Sequence, residues 1–312
     1  TNFPSRKKNF DYDFNINSYL YNQENLSDIL SQLIRTTFIP KKNHRFIIAD
    51  FSAIEARIIA YLSDEKWRID VFNTHGKIYE ASASKMFKVD INEITKESEL
   101  RQKGKIAELA LGYQGGVKAL VSMGAYNMNL CESELIEIVR AFRSSNVNIV
   151  KLWNTVEKAF IEAVNNKSIV HIDKNISFIY EGNILFIKLP SGRRLSYIRP
   201  KIDYNNAFNK SVITYEGVDS TTKKNTRLTT YGGKLVENIV QAIARDVLGE
   251  AMMNLRNKGF NIVMHVHDEI VLEVENGVSS VEKVVEIMCK ENRYLKGLNL
   301  RADGFESNYY KK

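Results

Sequence analysis

The sequence predicts an α+β fold in which a small antiparallel sheet carries a long helical insertion. Strand patterns lie near both ends of the chain, at 45–52 and at 263–274, where short apolar runs are bounded by turn signals. Between them, apolar residues recur with helical spacing from about 64 to 170. Strands at both ends and helices in the middle indicate a core of sheet and helices that the helical segment interrupts.

The other elements follow from the same patterns. Residues 1–28 are rich in Asn, Asp, Lys and Tyr without a clear period, so we interpret them as a loosely ordered lead-in segment. Apolar spacing and turn residues predict helices at 26–35, 52–63, 234–259 and 278–290, a hairpin at 183–198, and an extended segment at 298–310.

The composition is that of an ordinary globular protein. The 312 residues are 44% hydrophobic and 26% charged, with a net charge of +7 that permits a nucleic-acid partner. Cys131 and Cys289 form no disulfide or metal-binding pattern, and no apolar run reaches membrane-spanning length. We therefore expect a reducing compartment and no membrane partner. Because residue 1 is Thr, we also expect a processed chain or a piece of a longer one.

The segment "IIADFSAIEAR", residues 47–57, puts a carboxylate where a strand ends and a helix begins. Ser52 and Glu55 have the S-x-x-E spacing of a capping box, so Glu55 serves either the helix cap or a functional site. Asp50 precedes the cap, and the helix does not need it. We interpret Asp50 as a carboxylate that faces a cleft.

The segment "RQKGKIAELALGYQGG", residues 101–116, carries Arg101, Lys105, Leu109 and Tyr113 at four-residue intervals along one face of a helix. At a rise of about 1.5 Å per residue, Arg101 and Lys105 would stand about 6 Å apart along the axis and reach different phosphates of a triphosphate. A solvated basic face is the alternative. The glycines in this segment count against it, because each costs a helix up to about 1 kcal/mol.

The segment "VMHVHDEIVLEV", residues 263–274, puts His267, Asp268 and Glu269 at the turn of an apolar hairpin. A solvent-exposed acidic turn is the simplest explanation. A second strand-end carboxylate beside Asp50 would, however, repel it unless a cation bound between them. Asp carboxylates are preferred ligands of Mg²⁺, and two such ions support phosphoryl transfer. The pair therefore predicts a site for two Mg²⁺ ions, for which Mn²⁺ can substitute.

Together these motifs resemble those of family A DNA polymerases, the DNA polymerase I family, and most closely its short phage or prophage members. "DFSAIEAR" is similar to the first palm motif of that family, "RQKGKIAELALGYQGG" to its fingers-helix motif, and "VHDEIV" to its second palm motif. The resemblance extends from about residue 29 to the C-terminus. It implies a right-hand polymerase, with a palm of antiparallel sheet plus helices and a helical fingers insertion.

The resemblance also implies a domain division and a reaction. After the lead-in at 1–28, residues 29–63 and 201–312 would form the palm, and residues 64–200 the fingers. The expected reaction is template-directed DNA synthesis in replication or repair, in which a primer 3′-hydroxyl attacks a dNTP and pyrophosphate leaves. The expected partners are primer-template DNA and dNTPs, in the cytoplasm of a bacterial or phage-infected host cell.

For the reaction centre, the resemblance implies that Asp50 and Asp268 hold the two metal ions. Arg101 and Lys105 would bind the incoming triphosphate, and Lys105 would also donate a proton to the departing pyrophosphate. Tyr113 would lie near the templating base. Glu269 would be a supporting residue that adjusts the metal site.

The remaining assignments implied by the resemblance concern the sugar and the DNA. Glu55 would exclude a ribose 2′-hydroxyl, His267 would contact the primer terminus, and Gln241 would touch the minor groove. Arg57 would support either Glu55 or the primer strand.

The sequence departs from the family pattern at three positions. Leu109 replaces an aromatic residue that lines the sugar pocket, and Tyr79 replaces a histidine that contacts the triphosphate. Glu237, with Asn238 beside it, replaces an asparagine one turn before Gln241. We expect altered sugar selection, an uncharged triphosphate contact from Tyr79, and rerouted contacts to the minor groove.

Only 49 residues precede Asp50, too few for the helical thumb that grips duplex DNA or for a proofreading exonuclease domain. Either the thumb and the exonuclease domain belong to a missing N-terminal portion or to a helper protein, or the chain is a minimal polymerase core without them. Weak duplex grip and low processivity are expected. The basic stretches at 188–194 and 221–227 would hold duplex phosphates or be solvated turns.

Three other functions fit parts of the pattern. A single-subunit RNA polymerase would share the motifs, but Glu55 argues for deoxynucleotides. A metal-dependent nuclease would use the Asp pair and leave Arg101, Lys105 and Tyr113 without a role. A non-catalytic or inactive nucleic-acid-binding fragment is the third, although every matched metal and phosphate residue is present.

Overall fold

The computed structural model describes residues 33–128, 130–205 and 210–311. The predicted lead-in at 1–28 and most of the predicted helix at 26–35 lie outside the described residues. Within the described ranges, no helix is both long enough and apolar enough to cross a lipid bilayer.

Along the chain, one strand is followed by seven helices, then by six strands, and finally by a long helix, two strands, a short helix and a last strand, counting α-helices and strands among the described residues. The helices are α1 Ile54–Ser63, α2 Lys66–Asn73, α3 Ile78–Phe87, α4 Glu99–Leu111, α5 Val117–Ser122, α6 Glu132–Ser145, α7 Val147–Asn166, α8 Gly232–Asn257 and α9 Val281–Met288. The strands are β1 His44–Phe51, β2 Ile169–Ile172, β3 Ile176–Glu181, β4 Ile184–Lys188, β5 Arg194–Asn205, β6 Lys210–Val218, β7 Asn225–Thr230, β8 Asn261–Val266, β9 Glu269–Glu275 and β10 Ala302–Ser307.

The sheet that carries both predicted metal ligands has four antiparallel strands in the order β10-β1-β9-β8. Its central strands are apolar and buried on both faces. Ile47 and Ala49 face the main hydrophobic core, whereas Ile48 faces the opposite side, where Tyr310 packs against it. Because side chains alternate along a strand, Asp50 lies on the Tyr310 side of the sheet.

The helical middle of the chain is confirmed, with α2 to α7 filling residues 66–166. These helices pack around large apolar side chains that are fully buried, among them Phe142, Trp153 and Phe160. Burying one such side chain contributes about 1.5–3 kcal/mol. The Trp153 indole N–H also donates to the Gly112 carbonyl at 3.0 Å, which ties α7 to the end of α4.

Residues 169–230 form a second, six-stranded antiparallel sheet in the simple order β2 to β7. The sequence predicted only its hairpin at 183–198, which corresponds to β4 and β5. The predicted fingers boundary between residues 200 and 201 falls inside β5. A bulge between Ile198 and Lys201, with Pro200 inside it, interrupts the alternation there and hides the continuation of the strand. The division into palm and fingers itself stays a prediction.

Gly104 allows the close crossing of α3 and α4. A Cβ added at Gly104 would lie less than 3.0 Å from the Tyr79 carbonyl oxygen, and Ala83 is also in contact distance. A methyl group there must therefore push two helix backbones apart. Gly249, in the middle of α8, has no neighbouring atom within 4 Å of the same added Cβ.

We predict that Gly104→Ala lowers the free energy of unfolding by about 1–3 kcal/mol, because overpacking against backbone cannot be relieved by a rotamer change. Gly249→Ala is the matched control and should raise it by up to about 1 kcal/mol, since alanine favours a helix. Urea denaturation of both variants measures the difference. Equal stabilities would contradict the proposed close crossing.

Candidate active site

Asp50 and Asp268 lie at the same end of two adjacent strands. Asp50 is directly opposite Glu269 in the register of β1 and β9, and Asp268 immediately precedes Glu269. The Phe51 backbone N–H donates to the Asp268 carbonyl at 3.3 Å, which fixes the turn against the end of β1. The structure therefore brings together the backbones of two aspartates that are 218 positions apart in the sequence.

The β8–β9 turn consists of His267 and Asp268 alone, because Val266 already pairs with Glu269. His267 has a φ of 56°, in the left-handed region that Gly and Asn adopt more readily. Among residues other than Gly, His is one of the few that are enriched in this region, so the turn tolerates His267. Its side chain is exposed at the corner, beside the half-buried Asp268.

The donor set at this corner suits magnesium. Mg²⁺ is commonly bound by one or two carboxylates, with water and substrate phosphate oxygens as its other ligands. Two aspartates from adjacent strands are such a set. Within residues 33–128, 130–205 and 210–311, no group of three or more His, Cys, Asp or Glu side chains is arranged to hold a metal.

Glu269 is buried next to the two aspartates, with only 2% of its surface exposed. The Tyr310 hydroxyl donates to its Oε1 at 2.8 Å. Burial, reinforced by the Glu269 carboxylate, raises the pKa of Tyr310 to about 12, so the hydroxyl keeps its proton at neutral pH. None of the three motifs indicated this partner, because Tyr310 lies outside all of them.

Ser52 does not form the capping box that its spacing predicted. Its hydroxyl donates to Asp303 Oδ2 at 2.5 Å instead, and α1 begins after Ala53, which has a left-handed φ of 53°. Asp303 lies directly opposite Asp50 in the register of β1 and β10. Glu55 is thereby released from the capping role and faces the fingers side.

Glu55 accepts a hydrogen bond from the Tyr113 hydroxyl at 2.8 Å, which links the palm to the end of α4. Burial, and then the Glu55 carboxylate, raises the pKa of Tyr113 well above its ordinary value.

The backbone of Tyr113 lies against Gly233, since a Cβ added at Gly233 would lie less than 3.0 Å from the Tyr113 carbonyl oxygen. The Gly233 N–H donates to Gln114 Oε1 at 2.8 Å. The start of α8 thus packs directly on the backbone at the end of α4.

Arg101 is held by the fingers in this structure. Its Nε lies 2.7 Å from Glu80 Oε1, and its guanidinium lies 5.6 Å from the centre of the Tyr79 ring. Burial alone would raise the pKa of Glu80, but the hydrogen bond from Arg101 brings it below its ordinary value. Tyr79 and Arg101, both predicted to contact the triphosphate, therefore lie side by side, and Glu80 is a partner of Arg101 that the sequence did not reveal.

Lys105 and Leu109 are exposed on the open face of α4, one and two turns beyond Arg101. Lys105 makes no hydrogen bond or ion pair with another residue in the described part of the chain. The opposite face of α4 is anchored by a buried ion pair in which Arg68 lies 2.5 Å from Glu108. One side of the helix is thus fixed, and the other presents a free ammonium group.

Arg57 is buried, with 3% of its surface exposed. It donates to the carbonyl oxygens of Ser52 at 2.8 Å and Asn299 at 2.9 Å, and it stacks on Phe72 at 4.6 Å. These contacts hold Arg57 within its own fold, and a contact of Arg57 with DNA stays a prediction. The sequence could not distinguish the two roles, since its partners are backbone groups.

Gln241 is exposed on α8, one turn before Arg245. The Arg245 guanidinium nitrogens lie 3.2 and 3.3 Å from the two ring nitrogens of His265, which ties α8 to β8. His265 lies two residues before His267. The predicted DNA contacts Gln241 and His267 therefore flank one surface, formed by α8 and the β8–β9 hairpin.

A family model, DNA polymerase family A, matches residues 21–184, just over half of the chain. The chain belongs to DNA polymerase family A. This confirms the resemblance on which the sequence assignments rest.

Relatives in family A extend the match across most of the chain. It is 57% identical over 284 residues to the DNA polymerase of Bacillus phage SP02, covering 91% of this chain and 44% of that protein. It is 27% identical to DNA polymerase I of Borreliella burgdorferi, covering 89% of this chain and 26% of that one. The chain thus spans less than half the length of these relatives.

A solved structure shares the fold of this family A chain. The POL domain of Pol1 from M. smegmatis, in complex with DNA primer-template and dNTP, superposes with a TM-score of 0.60 at 21% identity. The match covers 89% of this chain and 42% of that one. It confirms the predicted α+β fold with an antiparallel palm-type sheet.

Proposed function

We propose that this chain provides the palm and fingers of a template-directed DNA polymerase, which adds dNTPs to a primer 3′-hydroxyl and releases pyrophosphate in DNA replication or repair. The observation that carries the proposal is the pairing of β1 with β9, which brings Asp50 and Asp268 to one end of the sheet. Membership of family A supports it.

Asp50 and Asp268 would hold two divalent cations, Mg²⁺ or in its place Mn²⁺. When bound, such ions increase the nucleophilicity of an attacking hydroxyl and stabilise the leaving oxygen in phosphoryl transfer. The contribution of the chain is to hold both carboxylates rigidly, since each lies at the end of a paired strand. The exposed His267 at the same corner would contact the primer terminus.

The open face of α4 would bind the triphosphate. Arg101 would exchange its bond to Glu80 for a bidentate contact to phosphate oxygens, for which its planar fork is suited. Lys105, exposed one turn further along, would donate a proton to the pyrophosphate as it leaves. Tyr79, beside Arg101, would add an uncharged hydrogen bond.

The Glu55–Tyr113 pair would select the sugar. Its hydrogen bond fixes the carboxylate between palm and fingers, where it would occupy the space of a ribose 2′-hydroxyl. Leu109, exposed on the same helix, would line this pocket without the aromatic face usual in the family. Gln241 and His267 would meet the minor groove and the primer end of the duplex.

A primer-extension assay with this chain tests the proposal. A labelled primer-template is incubated with Mg²⁺, with and without dNTPs, and with EDTA. Growth of the primer that requires dNTPs and stops with EDTA supports the polymerase. Shortening of the primer without dNTPs would identify a nuclease instead, and no change would identify an inactive fragment.

We predict that Asp268→Asn slows extension by at least about 10²–10³-fold, the scale of removing a principal transition-state charge contact. Affinity for primer-template should stay within a few-fold, because the metal ions serve chemistry more than duplex binding. Asp70→Asn, at an exposed position of α2, is the control for the change in charge. A large loss of DNA affinity in Asp268→Asn would count against the metal-binding role.

Lys105→Ala should reduce the single-turnover rate of incorporation by about 10²-fold, the usual contribution of a general acid. Binding of primer-template should change little. Lys85→Ala, which removes an exposed lysine of α3, serves as the control. An unchanged single-turnover rate would remove Lys105 from the mechanism.

Glu80→Gln should lower the KM for dNTPs by about 2–5-fold, because a partly exposed ion pair of up to about 1 kcal/mol no longer competes with the triphosphate for Arg101. Glu97→Gln, at an exposed position before α4, controls for the lost negative charge. Steady-state kinetics measure both. A higher KM in Glu80→Gln would mean that Glu80 orients Arg101 for binding instead.

A further inference from the structure

The Tyr310 hydroxyl is a candidate positioning group next to the metal-site carboxylates. It donates to Glu269 Oε1 at 2.8 Å, and both residues are almost fully buried, at 4% and 2% exposure. A buried carboxylate requires such a donor, since leaving it without one costs about 1–3 kcal/mol or more. The contact is therefore a fixed part of the palm.

The position of Tyr310 is determined by two further contacts. Its backbone N–H donates to the Phe38 carbonyl at 2.9 Å, so the segment after β10 is tied to the segment before β1. Its ring packs in a small apolar cluster with Phe46, Ile48 and Val271 on the same face of the sheet. The hydroxyl is thus aimed at Glu269 by main-chain and side-chain contacts together.

The register of the sheet places the Glu269 side chain within reach of the Asp50 carboxylate. Residues directly opposite each other in an antiparallel pair have their side chains on the same face, with Cβ atoms about 4.5–5.5 Å apart. Asp50 and Glu269 are such a pair. The glutamate is one methylene longer than an aspartate, so a rotation away from Tyr310 would bring its carboxylate to the Asp50 carboxylate.

We propose that Tyr310 holds Glu269 out of the divalent-cation site, so that Asp50 and Asp268 are the carboxylates that bind there and room is left for the primer hydroxyl and the triphosphate. Tyr310 is then a positioning residue that acts through Glu269. The proposal rests on the polymerase function proposed above, and it assigns a role in the reaction to the segment after β10.

The test variant is Tyr310→Phe, which removes the hydroxyl and keeps the ring in its apolar cluster. We expect the single-turnover rate to fall about 10-fold, the lower end of the effect of losing an outer-shell partner of a metal site. The KM for dNTPs should be nearly unchanged, and the loss of about 1–3 kcal/mol of stability should lower the melting temperature without unfolding the protein. Tyr126→Phe, which removes the hydroxyl of an exposed tyrosine, should have no effect on the rate. An unchanged rate in Tyr310→Phe would overturn the proposal.

A double-mutant cycle distinguishes positioning from a general loss of packing. If Tyr310 acts through Glu269, then Tyr310→Phe combined with Glu269→Gln should be no slower than Glu269→Gln alone. A purely structural role would make the two losses multiply. That outcome would also overturn the proposal.

Binding of Mn²⁺, followed by electron paramagnetic resonance, gives a readout that does not depend on activity. Release of a third carboxylate in Tyr310→Phe should lower the Kd for Mn²⁺ by at least about 3-fold, and Glu269→Gln should reverse this change. If the wild-type chain fails to extend primers, the polymerase proposal fails, while the Mn²⁺ titration still decides the role of Tyr310. If extension proceeds and both Mn²⁺ affinity and rate are unchanged in Tyr310→Phe, only the positioning proposal fails.

Discussion

The pairing of β1 with both β9 and β10 is the interaction on which the candidate site depends. It places Asp50 opposite Glu269 on one side and opposite Asp303 on the other. A shift of one residue would turn Asp50 into the core and an apolar neighbour into the cleft. That shift is unfavourable, because it would bury the Asp50 carboxylate among the apolar side chains of the main core. Hydrophobic burial in the sheet therefore specifies where the charged groups lie.

Local patterns in the sequence were sufficient to predict the strands and the helix that carry the residues of the proposed chemistry. The strand before Asp50, the hairpin around Asp268 and the long helix that carries Gln241 were each predicted to within two residues. Each has a period and flanking turn residues that do not depend on distant partners. The pairing of the two strand ends was inferred only from the repulsion that two neighbouring carboxylates would otherwise produce.

The predictions that failed or were missing depend on partners far away in the chain or on backbone groups. Ser52 bonds to Asp303, which is 251 residues away, and this contact replaces the expected cap. Arg57 bonds to carbonyl oxygens, which every residue carries, so its burial leaves no mark in the sequence. Only one hairpin of the six-stranded sheet was predicted, and a bulge that contains Pro200 hid the continuation of its longest strand.

One side of helix α4 is packed against other helices, and the other side is exposed to solvent. The buried Arg68–Glu108 pair and the close crossing at Gly104 hold one side against the other helices. Lys105 and Leu109 stand on the other side, exposed. At the end of the helix, the backbone of Tyr113 touches the backbone of Gly233 at the beginning of α8. No compressible side chain lies between them, so any tilting of α4 is transmitted directly to the first turn of the helix that carries Gln241. The surface proposed to bind the nucleotide and the surface proposed to bind the duplex are therefore joined through this one backbone contact.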